Sequence, residues 1–253
     1  MSKFTETEFG GTKEILKFPD HYVALAVMVS DVGVAAQPED GKKIVPKGTI
    51  VGGSSGSVLA NLNQAVANKY VPIVRASKII GDPDDDNAIL FTAVTPGTAG
   101  NSVTVTLAVS GNETPLGVTV VGSAITVAVE TDGDGAPVST AAEVAKAVND
   151  SEAASALVVA DASINPDGEG AGVVAAASAT NLAGGAAASV SGAEGVLKND
   201  IDVTYGPKEG AMILHGFVKL DALPYGADNA LIPATIAADA AAARAFSAIK
   251  LIK

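Results

Sequence analysis

The chain has 253 residues, 48% of them apolar but only 4% aromatic, with no cysteine, no tryptophan and a formal net charge of −12. The lack of cysteine excludes disulfides, thiolate zinc sites, iron–sulfur clusters and cysteine nucleophiles, and fits synthesis in a reducing cytoplasm. An acidic chain without a basic stripe lacks the phosphate-neutralising contacts of a nucleic-acid binder, and its longest apolar run, Tyr22 to Val29, is far too short to cross a membrane.

Residues 1–20 are mixed and polar and read as an arm; the first of them contain no apolar stretch of the secretory type. Residues 21–29 read as a strand with apolar residues at both parities, which predicts burial on both faces. Pro38-Glu39-Asp40-Gly41 is a turn. Two short strands follow across Lys43 to Gly53, broken at Pro46-Lys47-Gly48. Val58, Leu59, Leu62 and Val66 have helical spacing, which predicts a helix over 57–69, and 71–80 returns to strand-like spacing with Pro72 at its start. These first 81 residues hold nine basic and seven acidic side chains, net +2.

Gly81-Asp82-Pro83-Asp84-Asp85-Asp86 marks a break, and the charge changes there. Residues 82–192 hold one basic side chain, Lys146, and fourteen acidic ones, net −13. Within this stretch Val103, Val105, Leu107 and Val109 alternate with Ser102, Thr104, Thr106 and Ala108, the pattern of a half-buried antiparallel strand. Residues 118–121 and 124–129 flank Gly122-Ser123, and glycine at the first central position predicts a type II′ hairpin. Thr140-Ala141-Ala142-Glu143 is a capping box, opening a helix to about Asn149 with Ala141, Val144, Ala145 and Val148 on one face. Residues 157–160 read as a further strand. The Gly/Ala/Ser tract from Ala183 to Gly195 reads as a flexible return linker.

The last 61 residues hold six basic and seven acidic side chains, net −1. Residues 201–204 and 211–220 are strand-like, with Pro224 ending the second. Residues 237–246 are alanine-rich and favour a helix, and 248–252 suit a short terminal strand. The predicted class is therefore α+β, mostly β. A β-rich base is formed by both termini (1–82 and 191–253), with an acidic α+β domain inserted at 83–190. Near-neutral flanks permit close packing against a partner, while the acidic middle stays in water and repels other anions.

Several segments resemble tailed-phage head decoration, or head fibre, proteins. Val45-Pro46-Lys47-Gly48-Thr49-Ile50-Val51-Gly52-Gly53 resembles their proline and Gly-Thr-aliphatic-aliphatic-Gly segment. Ile213-Leu214-His215-Gly216-Phe217-Val218-Lys219-Leu220-Asp221-Ala222-Leu223-Pro224 resembles the strand that ends their capsid-binding scaffold. The middle, through residues 87–97, 99–101, the 141–149 helix and 180–185, is similar to a small module of phage capsid and tail surface proteins. The resemblance implies a β-rich homotrimer seated on the outer capsid surface of the virion. Its partners would be the major capsid protein and its own copies, with no catalytic residue and no cofactor. Within the matching segments, Pro46, Gly48, Thr49, Ile50, His215, Phe217 and Leu220 are the expected capsid or subunit contacts.

Other chemistry has a plainer reading at each place it is suggested. Gly52-Gly53-Ser54-Ser55-Gly56 fits the G-x-S-x-G pattern of a nucleophile elbow, which needs a strand before it, a helix after it and a partnering histidine. A Ser/Gly loop is the simpler account, and no convergent set of Ser, His and carboxylate supports an enzyme. His21 and His215 are the only histidines; His215 sits in an apolar strand, where packing is the default and a pH-sensitive subunit contact the alternative. Three carboxylate groups, Asp82 to Asp86, Asp132-Gly133-Asp134 and Asp161 with Asp167 and Glu169, offer oxygen ligands of the kind calcium takes, but none has EF-hand spacing and each suits an ordinary turn. An adhesion or carbohydrate-binding module is the competing function. It calls for exposed stacking rings, and the middle has only Phe91.

Overall fold

The structure, a computed structural model, describes residues 14–166 and 168–253. The chain forms two compact units, a base of residues 1–72 and 188–253 and an insert of 73–187. In chain order the base supplies β1 (Val23–Val29), β2 (Ile44–Val45), β3 (Ile50–Gly53) and β4 (Ala65–Asn68). The insert supplies β5 (Ser77–Ile80), β6 (Ile89–Ala93), β7 (Thr104–Ala108), β8 (Gly117–Val121) and β9 (Ala124–Ala128), then α1 (Ala141–Asp150), α2 (Glu152–Ser155), β10 (Val158–Asp161) and β11 (Ala177–Asn181). The chain returns to the base with β12 (Gly195–Leu197), β13 (Ile201–Asp202), β14 (Lys208–Lys219), α3 (Ile232–Ala238), α4 (Ala240–Ala245) and β15 (Ile249–Ile252). The class is α+β, mostly β.

In the base, β1 pairs with β4, β4 with β3, β3 with β12, β12 with β14, and β14 with β1 again. Five strands thus close into a small barrel, which removes the free edges an open sheet would carry. The far half of β14 runs on and pairs in parallel with β15. Alternation divides the strand residues between two cores. Val27, Val29, Val66, Val51, Leu197 and Met212, at least one from every barrel strand, form the first. Ile50, Val196 and Ile213, each next to one of those, join Ile232, Ile236, Ala242 and Phe246 of the C-terminal helical segment in the second. A five-stranded barrel has a narrow interior, which suits a chain rich in valine and poor in rings.

Gly52 and Gly53 belong to this tight packing. Both are buried strand residues rather than part of a flexible loop. A Cβ on Gly52 would lie 1.9 Å from the carbonyl oxygen of Gly192.

In the insert, β10, β6 and β5 form an antiparallel sheet, and β11, β7, β9 and β8 form a mixed one. Alternate residues of both, with the inner face of α1, make one core around Ile89, Phe91, Val105, Leu107, Ile125, Val127, Val144, Val148 and Val158. The capping box forms as the sequence predicts: Glu143 N–H donates to Thr140 Oγ1, and the Thr140 N–H donates to Glu143 Oε2. The buried face is Ala141, Val144, Ala145 and Val148. The β8–β9 turn is Gly122-Ser123, with Gly122 at φ 61°, as a type II′ turn requires.

Several expectations are corrected. Residues 57–64 are turns and 65–68 a strand, because Val58 and Val66 point into the barrel core while Leu59 and Leu62 stay exposed. β1 buries Val27 and Val29 but leaves Val23, Ala24, Ala26 and Met28 exposed, so one face meets water. β7 is antiparallel to β11 but parallel to β9. The first insert strand, β5, precedes the acidic break, so the contact division falls at residue 72 rather than 82; Gly81 to Asp86 is a turn inside the insert. The Ala183–Gly195 tract is not loose. Leu182, Gly185, Val190 and Gly195 are buried, and Asn101 clamps Gly185 through paired 2.9 Å hydrogen bonds. The alanine-rich helix begins earlier, at Ile232, and breaks at Asp239, whose side chain caps α4. Of the predicted arm, Ile15 and Leu16 are core residues of the base, with Leu16 bridged to Val218; residues 1–13 lie outside the described residues.

Candidate interaction surface

The two sequence segments expected to make contacts come together in the base. Buried Gly48 donates its N–H to Leu197 and packs against Leu223 and Pro224, joining the 45–53 segment to the end of the 213–224 segment. Thr49 is buried with its hydroxyl bonded to the Pro46 carbonyl, and Ile50 and Leu220 lie in the second core. Four of the seven expected contact residues, Gly48, Thr49, Ile50 and Leu220, are therefore used in the base's own packing. Pro46 is exposed, and His215 and Phe217 are half-buried.

These last two sit in the densest group of rings in the described chain. Phe18 meets Phe217 edge-on at 5.2 Å, His21 meets His215 at 5.2 Å, and His21 lies 6.1 Å from Phe217. Tyr22 adds a fifth ring, with Lys198 Nζ 4.4 Å above its centre and 2.7 Å from its hydroxyl. Phe18 and Val23 are more than half exposed.

The patch is placed by a β-bulge. Val23 pairs with His215 and Ala24 with Ile213, so Leu214 is extra. Buried positions on β14 switch from Ile213 to Val218, and His215 and Phe217 are turned to the other side. Gly216, at φ 147°, lets the 21–22 backbone lie close; a Cβ there would be 3.2 Å from Tyr22 Cβ. At the opposite end of β14, about 30 Å away at strand rise, Tyr205 stands fully exposed in the turn before the strand. No periodicity marks it in the sequence, where an aromatic before Gly206-Pro207 is the available signal.

The G-x-S-x-G stretch is built around a buried glutamate that the sequence did not flag. Glu194 is 8% exposed and accepts hydrogen bonds from Gly53 N–H (2.8 Å), Val58 N–H (2.9 Å) and Ser57 Oγ (2.5 Å). Burial pushes its carboxyl up, but the bonds from Ser57, Val58, Gly53 and Leu59 outweigh this and hold it below the usual glutamate value. The carboxylate fastens the 53–59 loop to the chain entering β12. A cleft of about 830 Å³ lies beside it, lined by Leu59, Lys69, Arg244 and small residues. No helix follows Gly56, so the elbow geometry is not met, and both histidines are in the ring patch.

Nearby, Tyr70 lies tilted against Tyr225 at 4.3 Å and donates to Asp228; burial and that carboxylate push its hydroxyl up to about 12. Tyr225 accepts the Ile50 N–H, which ties the barrel to the C-terminal helical segment.

In the insert the acidic loops satisfy their own backbones. Asp82 caps the 83–85 turn, Asp132 accepts from the N–H of Asp134 and Ala136, and Asp161 accepts from Ser163, whose bonds lower its pKa. Asp167 lies outside the described residues. Among the described residues no group of three His, Cys, Asp or Glu is placed to hold a metal ion, and no helix is long and apolar enough to cross a membrane. Phe91, the insert's sole aromatic, is fully buried. Comparison with family models, curated proteins and solved structures finds no match to this chain.

Proposed function

We propose that this chain is a structural virion protein that decorates the outer surface of a phage capsid, its base attaching as a trimer and its insert displayed. The observation that carries the reading is the division of labour between the units. The base, built from both flanks, has thirteen basic and fourteen acidic side chains; the insert has three and fourteen, net −11. The base also holds the exposed rings, Phe18, Tyr22 and Tyr205. A near-neutral surface with exposed rings suits close protein contact, whereas a strongly acidic one suits solvation and mutual repulsion. The segments resembling head decoration proteins meet within the base, which supports the same assignment. Binding only to the assembled shell would stabilise it by mass action.

The competing reading, sugar-binding by the insert, needs stacking rings on that unit, and burial of Phe91 leaves it none. The test is co-sedimentation with undecorated heads, compact and expanded in parallel, using the full chain and a form lacking 73–187. Val71 and Ser189 exchange backbone hydrogen bonds of 2.9 and 3.0 Å, so a short turn can join them. Saturable binding of both forms is the expected result. Binding by neither overturns the proposal, and binding by the full chain alone moves the contact to the insert.

A further inference from the structure

We propose that His21 and His215 form a chelating pair for a divalent transition ion of the zinc class, a site on the exposed face of the base. They are the chain's only imidazoles, and it has no thiol. Any imidazole-ligated site within one chain must use them, and imidazole is a preferred ligand of zinc, nickel and copper.

The fold brings the two residues together from opposite ends of the sequence and fixes both backbones. Lys17 N–H donates to Phe217 O and Lys219 N–H to Ile15 O, each at 2.8 Å, while Val23 pairs with His215. The bulge at Leu214 and the missing side chain at Gly216 set the approach.

The separation fits a shared ion, although the Phe18–Phe217 pair stands at the same 5.2 Å. A Zn–N bond of about 2.0–2.1 Å, plus about 1.1 Å from nitrogen to ring centre, puts each centre roughly 3.2 Å from the metal. At a tetrahedral angle two such centres lie about 5 Å apart, and the observed distance is 5.2 Å with the rings inclined at 61°. His21 is exposed and His215 half-buried, so water can fill the remaining positions. Phe217, 6.1 Å from His21, gives an apolar flank of the kind that modulates such sites. The competing account is that the rings simply pack edge to edge. It predicts no shared ion.

The experiment is a zinc titration of the untagged full chain by calorimetry, with imidazole NMR signals followed in parallel. One zinc per chain is expected, with both histidine signals moving along one saturation curve. His21→Gln and His215→Gln should each weaken binding by more than about tenfold, the lower end of what even an outer-shell partner is worth. Because the NMR readout uses the unaltered chain, a variant that fails to fold leaves the test intact. No binding, movement of one histidine only, movement of the two at different zinc concentrations, or binding that survives the double variant would each overturn the site.

Discussion

The base closes five strands into a barrel around a handful of valines, a leucine and a methionine, whereas the insert leaves two sheets open and gathers them on one helix. In the base the pairings that close the barrel join distant parts of the sequence: β1 with β14, β3 with β12, and Leu16 with Val218. In the insert the β8–β9 hairpin and the capped α1 are local. Tolerance should differ accordingly. The base depends on backbone fit at a few crowded points, and the insert depends on how much apolar surface it buries.

The largest effect should come from crowding the base. Gly52→Ala places a methyl on the Gly192 carbonyl, with no flexible side chain to yield. Calorimetry should show the base transition lost and the insert transition kept; a base that still melts cooperatively would break the contrast. Next, Phe91→Ala should destabilise the insert by about 3–5 kcal/mol and leave the base midpoint unmoved, as read from the two transitions in urea.

Smaller and pH-dependent is Glu194→Gln, which replaces a carboxylate receiving several donors with an amide that offers them only one oxygen; a loss of about 1–3 kcal/mol in the base is expected at pH 7. The folded pKa lies below the ordinary 4.5. The carboxylate's contribution is therefore complete above that value and lost as pH falls through the lower folded one. The gap between wild type and variant should narrow as pH falls below 4.5, and a gap that does not depend on pH in the acid range would mean that charge is not the cause. Smallest is Thr140→Ala, which removes half of the capping box and should lower insert stability by about 1 kcal/mol, a shift confined to the insert's urea midpoint.

The same contrast explains what could be read from the sequence. The β7 alternation, the Gly122-Ser123 turn and the inner face of α1 depend on neighbouring residues, and each stands where its pattern puts it. The 57–69 stretch does not, because its helical spacing is overridden by a buried carboxylate more than a hundred residues away and by the pairing of β4 with β3. Asn101 and Glu194, which organise the alanine-rich tract and the Gly/Ser loop, carry no local signature; their role exists only once the partner backbone arrives. For the candidate contact residues, the sequence does not show which side chains face out. A single bulge at Leu214 decides that for His215 and Phe217.

The reciprocal bonds between Val71 and Ser189 also bear on the order in which the molecule is made. The barrel cannot close until β12 and β14 have left the ribosome, whereas 73–187 is complete before them. If that unit folds first, it delivers the two ends of the barrel's gap side by side, and the effective loop shrinks from about 120 residues to a few. By the logarithmic loop rule this spares about 3 kcal/mol of closure entropy. The displayed unit would then act as an internal folding aid for the part that holds on, and Phe91→Ala should slow refolding of the base while leaving its stability unchanged wherever the insert is still folded.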